Sequence, residues 1–155
     1  GRVMLPQVRV WLGFMTSLKT LVSQKALFRY INESIDAGEK SILTELVNGD
    51  LSQLSVDVVV EAATKGDKVA LDSLTRVAHH LGVGIASLVN VLNPQLVVFG
   101  GILSAAWDFI KPVLEEDLQA TALLWERQAT DVVLAKHKMD ACVMGGIATI
   151  YQVII

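Results

Sequence analysis

The sequence has little that would fix a covalent or membrane-bound architecture. A single cysteine, Cys142, cannot close a disulfide within the chain, so a reduced, cytoplasmic setting is expected. No apolar run approaches the roughly 20 residues that a membrane span needs, and the opening "GRVMLPQVRV" lacks the architecture of a signal peptide. Charge of either sign is sparse. A net charge of −3 with no basic stripe excludes an electrostatic nucleic-acid footprint on this segment. No Walker-type phosphate loop and no Ser-His-Asp pattern occur. What the chain does have is apolar surface: 52% of its 155 residues are hydrophobic and only 6% aromatic, enough for one domain with a real core. The surplus points to a large interface or a companion domain. Gly1 in place of Met predicts a processed, tagged or truncated chain.

Periodicity divides the chain in two. "SLKTLVSQKALFRYINESI", Ser17 to Ile35, places Leu18, Leu21, Val22, Leu27, Tyr30 and Ile31 near one helical face, with Gly38 as its stop. Shorter helical pieces, "KSILTELVNG" and "SVDVVVEAATKG", each end on glycine, and Ser55 can cap the second. Asp67 then caps the longest element, whose apolar positions Leu71, Leu74, Ala78, Leu81, Ile85, Leu88 and Leu92 step by three and four up to Asn93-Pro94. This spacing fits a coiled coil or a buried central helix. Val77, Val83, Val89 and Val91, with Gly82 and Gly84, widen the stripe and favour burial.

Beyond Asn93 the pattern becomes strand, helix, strand, helix. "QLVVF" precedes Gly100-Gly101 and a helix around Leu103 to Leu118; "DVVLA" precedes "KHKMD" and a helix from about Ala141 to the end. Two such strands predict a right-handed parallel unit in a small sheet whose remaining strands come from elsewhere. The opening "RVMLPQVRVWLGF" is strand-like but interrupted by Pro6, as at an edge.

Few residues carry chemistry on their own. Gly100 and Gly101 lie where a strand becomes a helix, which suits either a tight steric turn or backbone approach to an anion or ribose. Gly145 and Gly146 sit within the expected last helix, so something packs closely there, a neighbouring helix or a purine ring. Adjacent His79 and His80 cannot clamp one metal and are expected at a helix surface or in packing. His137, between Lys136 and Lys138, belongs to a basic loop; Asp140 caps the last helix; Glu115, Glu116 and Asp117 form a solvated helix face.

The stretch "AATKGDKVALDSLTRVAHHLGVGIASLVNVLNPQLVVFGGILS" resembles the carboxyl-terminal half of the ROK family of sugar-responsive repressors and sugar kinases, and "DACVMGGIA" resembles its closing glycine-containing helix. The resemblance runs from about Ser17 onward. It implies one lobe of an actin-like ATPase (ribonuclease-H-like) fold: an α/β, helix-rich single domain, 1–155, with a small parallel sheet. Its parts are a degenerate zinc-motif segment (1–16), a helical part (17–92) and a strand-helix part (93–155). In kinase members the glycines matching Gly100 and Gly101 lie beside the adenosine, which makes Gly100, Gly101 and Gly145 the expected nucleotide contacts.

The family's zinc motif, Cys-x-Cys-Gly-x-x-Gly-Cys-Leu-Glu, falls in register with Val10 to Lys19, where Gly13 and Leu18 match. The three cysteine positions hold Val10, Leu12 and Ser17, so zinc is not expected. The sugar-binding glutamate is Lys19, and Gly1-Arg2 corresponds to the family's Gly-His, so the sugar-binding positions Arg2 and Lys19 are degenerate. The first lobe's phosphate loop and catalytic aspartate are absent from this sequence, and ATP is expected only with that lobe. The expectation is therefore an effector-sensing and dimerisation lobe of a ROK-type transcriptional regulator, a homodimer responding to a sugar or sugar phosphate. It would make no direct nucleic-acid or membrane contact. The alternatives are a lobe of an ATP-dependent, glucokinase-like sugar kinase or a non-catalytic interaction module.

Overall fold

The computed structural model describes residues 23–92, 96–121 and 131–134. The first helix, α1 (Gln24–Asp36), begins at Ser23, whose hydroxyl accepts the Ala26 amide at 3.1 Å. The expected start at Ser17 is corrected here: Ser23 has extended angles (φ −92°, ψ 164°), because its side chain substitutes for the missing carbonyl of a preceding turn. Residues 17–22 lie outside the described residues. Ala26, Leu27, Tyr30 and Ile31 form the buried face, as the spacing predicts. Ala37 and Gly38 then stop the helix by donating to the carbonyls of Glu33 and Ile35.

Two short elements follow, α2 (Leu43–Leu46) and a 3-10 turn at Leu51–Gln53 capped by Asp50. Helix α3 (Val56–Thr64) is capped by Ser55, whose hydroxyl accepts the Val58 amide at 3.3 Å. The 25-residue helix α4 (Lys68–Leu92) starts at Asp67, which accepts the Ala70 amide at 2.9 Å. Its inner face buries Leu74, Val77, Ala78, Leu81, Ile85, Ala86 and Val89. Helices α1 and α3 pack against it, so it is a central, buried helix rather than half of a zipper. The outer face departs from expectation. Val83 and Val91 do not widen the buried stripe but stand 56% and 75% exposed among the described residues.

Strands β1 (Leu96–Phe99) and β2 (Asp131–Leu134) pair in parallel, with Val97 opposite Val132 and Phe99 opposite Leu134. Phe99 and Val132 are buried on the face toward the core, while Val133 on the other face is 40% exposed. Between them lies α5 (Trp107–Thr121), preceded by a 3-10 helix over Ile102–Ala106. The expected helix around Leu103 is thus corrected: its first five residues wind more tightly, so that Leu103, Ser104 and Ala106 all reach the interior. Ile110, Leu114 and Leu118, spaced by four, bury the inner face of α5, which packs along α4. Each fully buried leucine contributes roughly 1.5–3 kcal/mol. No described helix is long and apolar enough to cross a membrane.

Candidate functional site

The turn from β1 into the 3-10 helix is built almost wholly from backbone. After Phe99 the chain passes through Gly100 to Gly101, which adopts φ 98°, ψ −169°, a region essentially confined to glycine. Gly100 shares no such constraint, for Gly101 alone of the pair has a positive φ. The Gly101 carbonyl accepts the Ser104 amide at 3.0 Å and so closes the turn. No side chain caps it. Phe99 and Trp107 stack across the turn with centroids 5.0 Å apart and planes 20° from parallel, which ties the strand end to the start of α5. A turn of this kind presents amides and bare backbone to a neighbour without offering a nucleophile or an acid-base pair. The steric reason for a glycine is established at Gly101 by its conformation; contact with a nucleotide is a separate matter.

Of the other residues singled out in the sequence, Arg2, Val10, Leu12, Ser17, Lys19, His137, Asp140, Gly145 and Gly146 lie outside the described residues, as do the amino-terminal strand-like segment and the last helix. The histidines separate as their adjacency requires. His80 is half-buried with its ring 6.1 Å from that of Tyr30, whereas His79 places Nδ1 2.6 Å from Asp117 Oδ2 on α5. The acidic run on α5 is therefore not uniformly solvated, as the sequence had implied. Asp117 is drawn over Gly82, where an added Cβ would stand 2.7 Å from the Asp117 Cβ. The close approach explains glycine in mid-helix, a signal visible in the sequence whose partner was not.

Asp67 is the other polar centre. Besides capping α4, it accepts the Ser41 hydroxyl at 2.9 Å and the Ile42 amide at 2.9 Å, although it is itself buried. Spacing predicts the cap alone; the bond to Ser41 spans 26 residues and has no local signal. The Ser52 hydroxyl and amide hold Asp50 below its ordinary carboxylate value, and Glu39 followed by Asp72 raises Lys68. Among the described residues, no group of three or more His, Cys, Asp or Glu could hold a metal ion.

This arrangement has relatives. The ROK family model matches residues 13–153. A putative xylose repressor from Caldicellulosiruptor sp. (strain Rt8B.4) is 29% identical over 139 residues, covering 89% of this chain and 34% of that protein. A solved ROK family transcriptional regulator, described as a homologue of the Escherichia coli Mlc protein, superposes with a TM-score of 0.65 at 27% identity. It covers 76% of this chain and 28% of that one. A ROK family glucokinase from Streptomyces griseus, solved with glucose and AMPPNP, gives a TM-score of 0.70 at 25% identity over 80% of this chain and 41% of its own. The chain spans about a third of the length of the curated relatives it matches.

Proposed function

The chain belongs to the ROK family, and from that premise we propose that it is the carboxyl-terminal, effector-sensing and dimerising lobe of a sugar-responsive transcriptional regulator, built as one lobe of an actin-like fold. The observation that carries the regulator over the catalyst is the residue set at Val10, Leu12, Ser17 and Lys19. At the positions of three metal-binding cysteines, valine and leucine supply no donor atom and serine a poor one, so the donor set does not fit zinc. Where the resemblance puts a carboxylate acceptor for sugar hydroxyls, Lys19 can only donate. A regulator tolerates such drift, because it must bind an effector but need not align a phosphoryl group, a metal and a base. The similarity to a xylose repressor and to an Mlc-like regulator supports this reading.

The kinase alternative draws support from the likeness to a glucokinase solved with glucose and AMPPNP. On that reading Gly100, Gly101 and Gly145 would lie beside a nucleotide held jointly with another lobe. Thermal unfolding of the protein in the presence of xylose, glucose or MgATP, together with an assay for ADP release, separates the two. The regulator reading expects a melting temperature that rises with one of the sugars, no sugar-dependent ADP and no response to a zinc chelator. Sugar-dependent ADP release would overturn it in favour of the kinase, and indifference to every sugar tried would remove sugar sensing.

A further inference from the structure

Of the four asparagines in the sequence, only Asn48 is followed by glycine. Asn32 and Asn90 lie within α1 and α4, where the amide of the next residue belongs to the helix ladder. Asn93 precedes Pro94, which has no N–H. Asn48 and Gly49 instead follow the end of α2, and both are exposed. Asn48 has φ 52°, and no other non-glycine residue among those described has a positive φ; Gly49 follows with φ 80°. A Cβ placed on Gly49 would meet nothing within 4 Å, so the surroundings of the Asn48-Gly49 bond are open to water.

The same two residues close the helix end. The Asn48 amide donates to the Glu45 carbonyl at 3.1 Å and the Gly49 amide to the Thr44 carbonyl at 2.8 Å, the paired pattern in which a left-handed residue ends a helix. Leu43 and Val47, on either side of that turn, are buried. The Gly49 nitrogen thus has two incompatible uses. With the turn closed, it is committed to Thr44. With the turn open, it stands next to the Asn48 side-chain amide and carries no Cβ that would hinder its attack. A helix of four residues sits at the low end of local stability, so such openings recur in the folded protein.

We propose that Asn48 is a site of spontaneous deamidation, gated by opening of the end of α2. The Gly49 nitrogen gives up its proton and bonds to Asn48 Cγ, while the Cγ–Nδ2 bond breaks and that nitrogen leaves as ammonia, taking the proton. Water then opens the resulting succinimide. Cleavage at Cγ gives aspartate; cleavage at the backbone carbonyl carbon gives isoaspartate, in which the chain runs through Cβ and Cγ. Water is the one co-reactant, and nothing is oxidised or reduced. Either product adds a negative charge beside the exposed Asp50 and on the same helix end as the exposed Glu45. Isoaspartate also lengthens the backbone by one carbon ahead of Gly49, which displaces the Gly49 amide from the Thr44 carbonyl.

The test follows the full-length protein at mildly alkaline pH, folded and in guanidinium chloride. Proteolytic peptides are sorted by mass, and isoaspartate is detected with an isoaspartate-specific methyltransferase. In the folded protein the peptide containing Asn48 should convert ahead of those containing Asn32, Asn90 or Asn93, about tenfold more slowly than in denaturant. Gly49→Ala should slow the reaction in denaturant, where folding plays no part, because the added Cβ hinders attack. A folded rate equal to or above the denatured one would overturn the gating by α2. Earlier conversion at another asparagine would overturn the site, as would an unreacted Asn48 in the folded protein after the denatured chain has converted.

Discussion

The two ends of the segment from α4 through β1 are secured by opposite means. At Asp67 the chain is held by a buried side chain that accepts three bonds from Ser41, Ile42 and Ala70. At Gly101 it is held by a backbone conformation that a side chain would spoil, closed by one amide-carbonyl bond and a ring stack. An end secured by a side chain is broken by removing atoms; an end secured by a backbone angle is broken by adding them. The first stabilises the helical part, whereas the second leaves bare backbone at a strand-helix junction.

The contrast can be broken most severely at Asp67. Asp67→Ala removes the cap and strands the half-buried Ser41 and Ile42 donors, at an expected cost of about 3 kcal/mol. The measurement is a shift of the denaturant midpoint at unchanged slope. A loss below about 1 kcal/mol would mean that those donors find water instead. At the opposite end Gly101→Ala should cost about 2 kcal/mol for forcing a Cβ into a glycine-only region, and Gly100→Ala measurably less. Equal losses would place the constraint in packing rather than in φ. For the same reason Gly101 variants should not be used to judge ligand binding without an accompanying stability measurement.

Gly82→Ala sharpens the comparison, because two effects oppose each other within one helix. Alanine gains about 1 kcal/mol in helix propensity, but its Cβ would meet the Asp117 Cβ at 2.7 Å, an atom that rotation about χ1 cannot move aside. The clash is expected to win by about 1 kcal/mol net, read by the same denaturation measurement. A stabilised variant would show that α5 slides easily along α4.

The smallest effect is expected at Asp50, the exposed counterpart of Asp67. Its folded carboxyl titrates below the unperturbed value of 3.8, through the Ser52 hydroxyl and amide. Its contribution is therefore complete above that value and disappears as pH falls through the lower, folded one. Asp50→Asn should flatten the pH dependence of stability slightly below 3.8 and leave it unchanged near neutrality. An equal effect at pH 7 and in acid would assign the contribution to the amide-accepting geometry rather than to charge.

Local chemistry is legible in the sequence. The Ser55 and Asp67 caps, the Gly38 stop and the inner face of α4 depend on residues within a few positions of one another, and the structure places them accordingly. A serine inside an apolar period looks the same whether it caps or continues a helix, so Ser23 emerges as a cap only from its extended backbone. Asp117 departs from the solvated face that its acidic run predicts, because its partners His79 and Gly82 lie on another helix. The exposure of Val83 and Val91 was missed for a related reason: periodicity reports which residues share a face, not what lies against it.

Sequence by itself determined the family, the order of the described helices and strands, the Ser55 and Asp67 caps, and the need for glycine where β1 turns toward α5, since each rests on residue type and short spacing. Only the tertiary structure decided which glycine of the pair carries the strained angle, that Asp67 joins α4 to the segment at Ser41 and Ile42, and that Asp117 lies over Gly82. Those features arise when helices distant in sequence come into contact, and burial and close approach belong to the contact rather than to either partner alone.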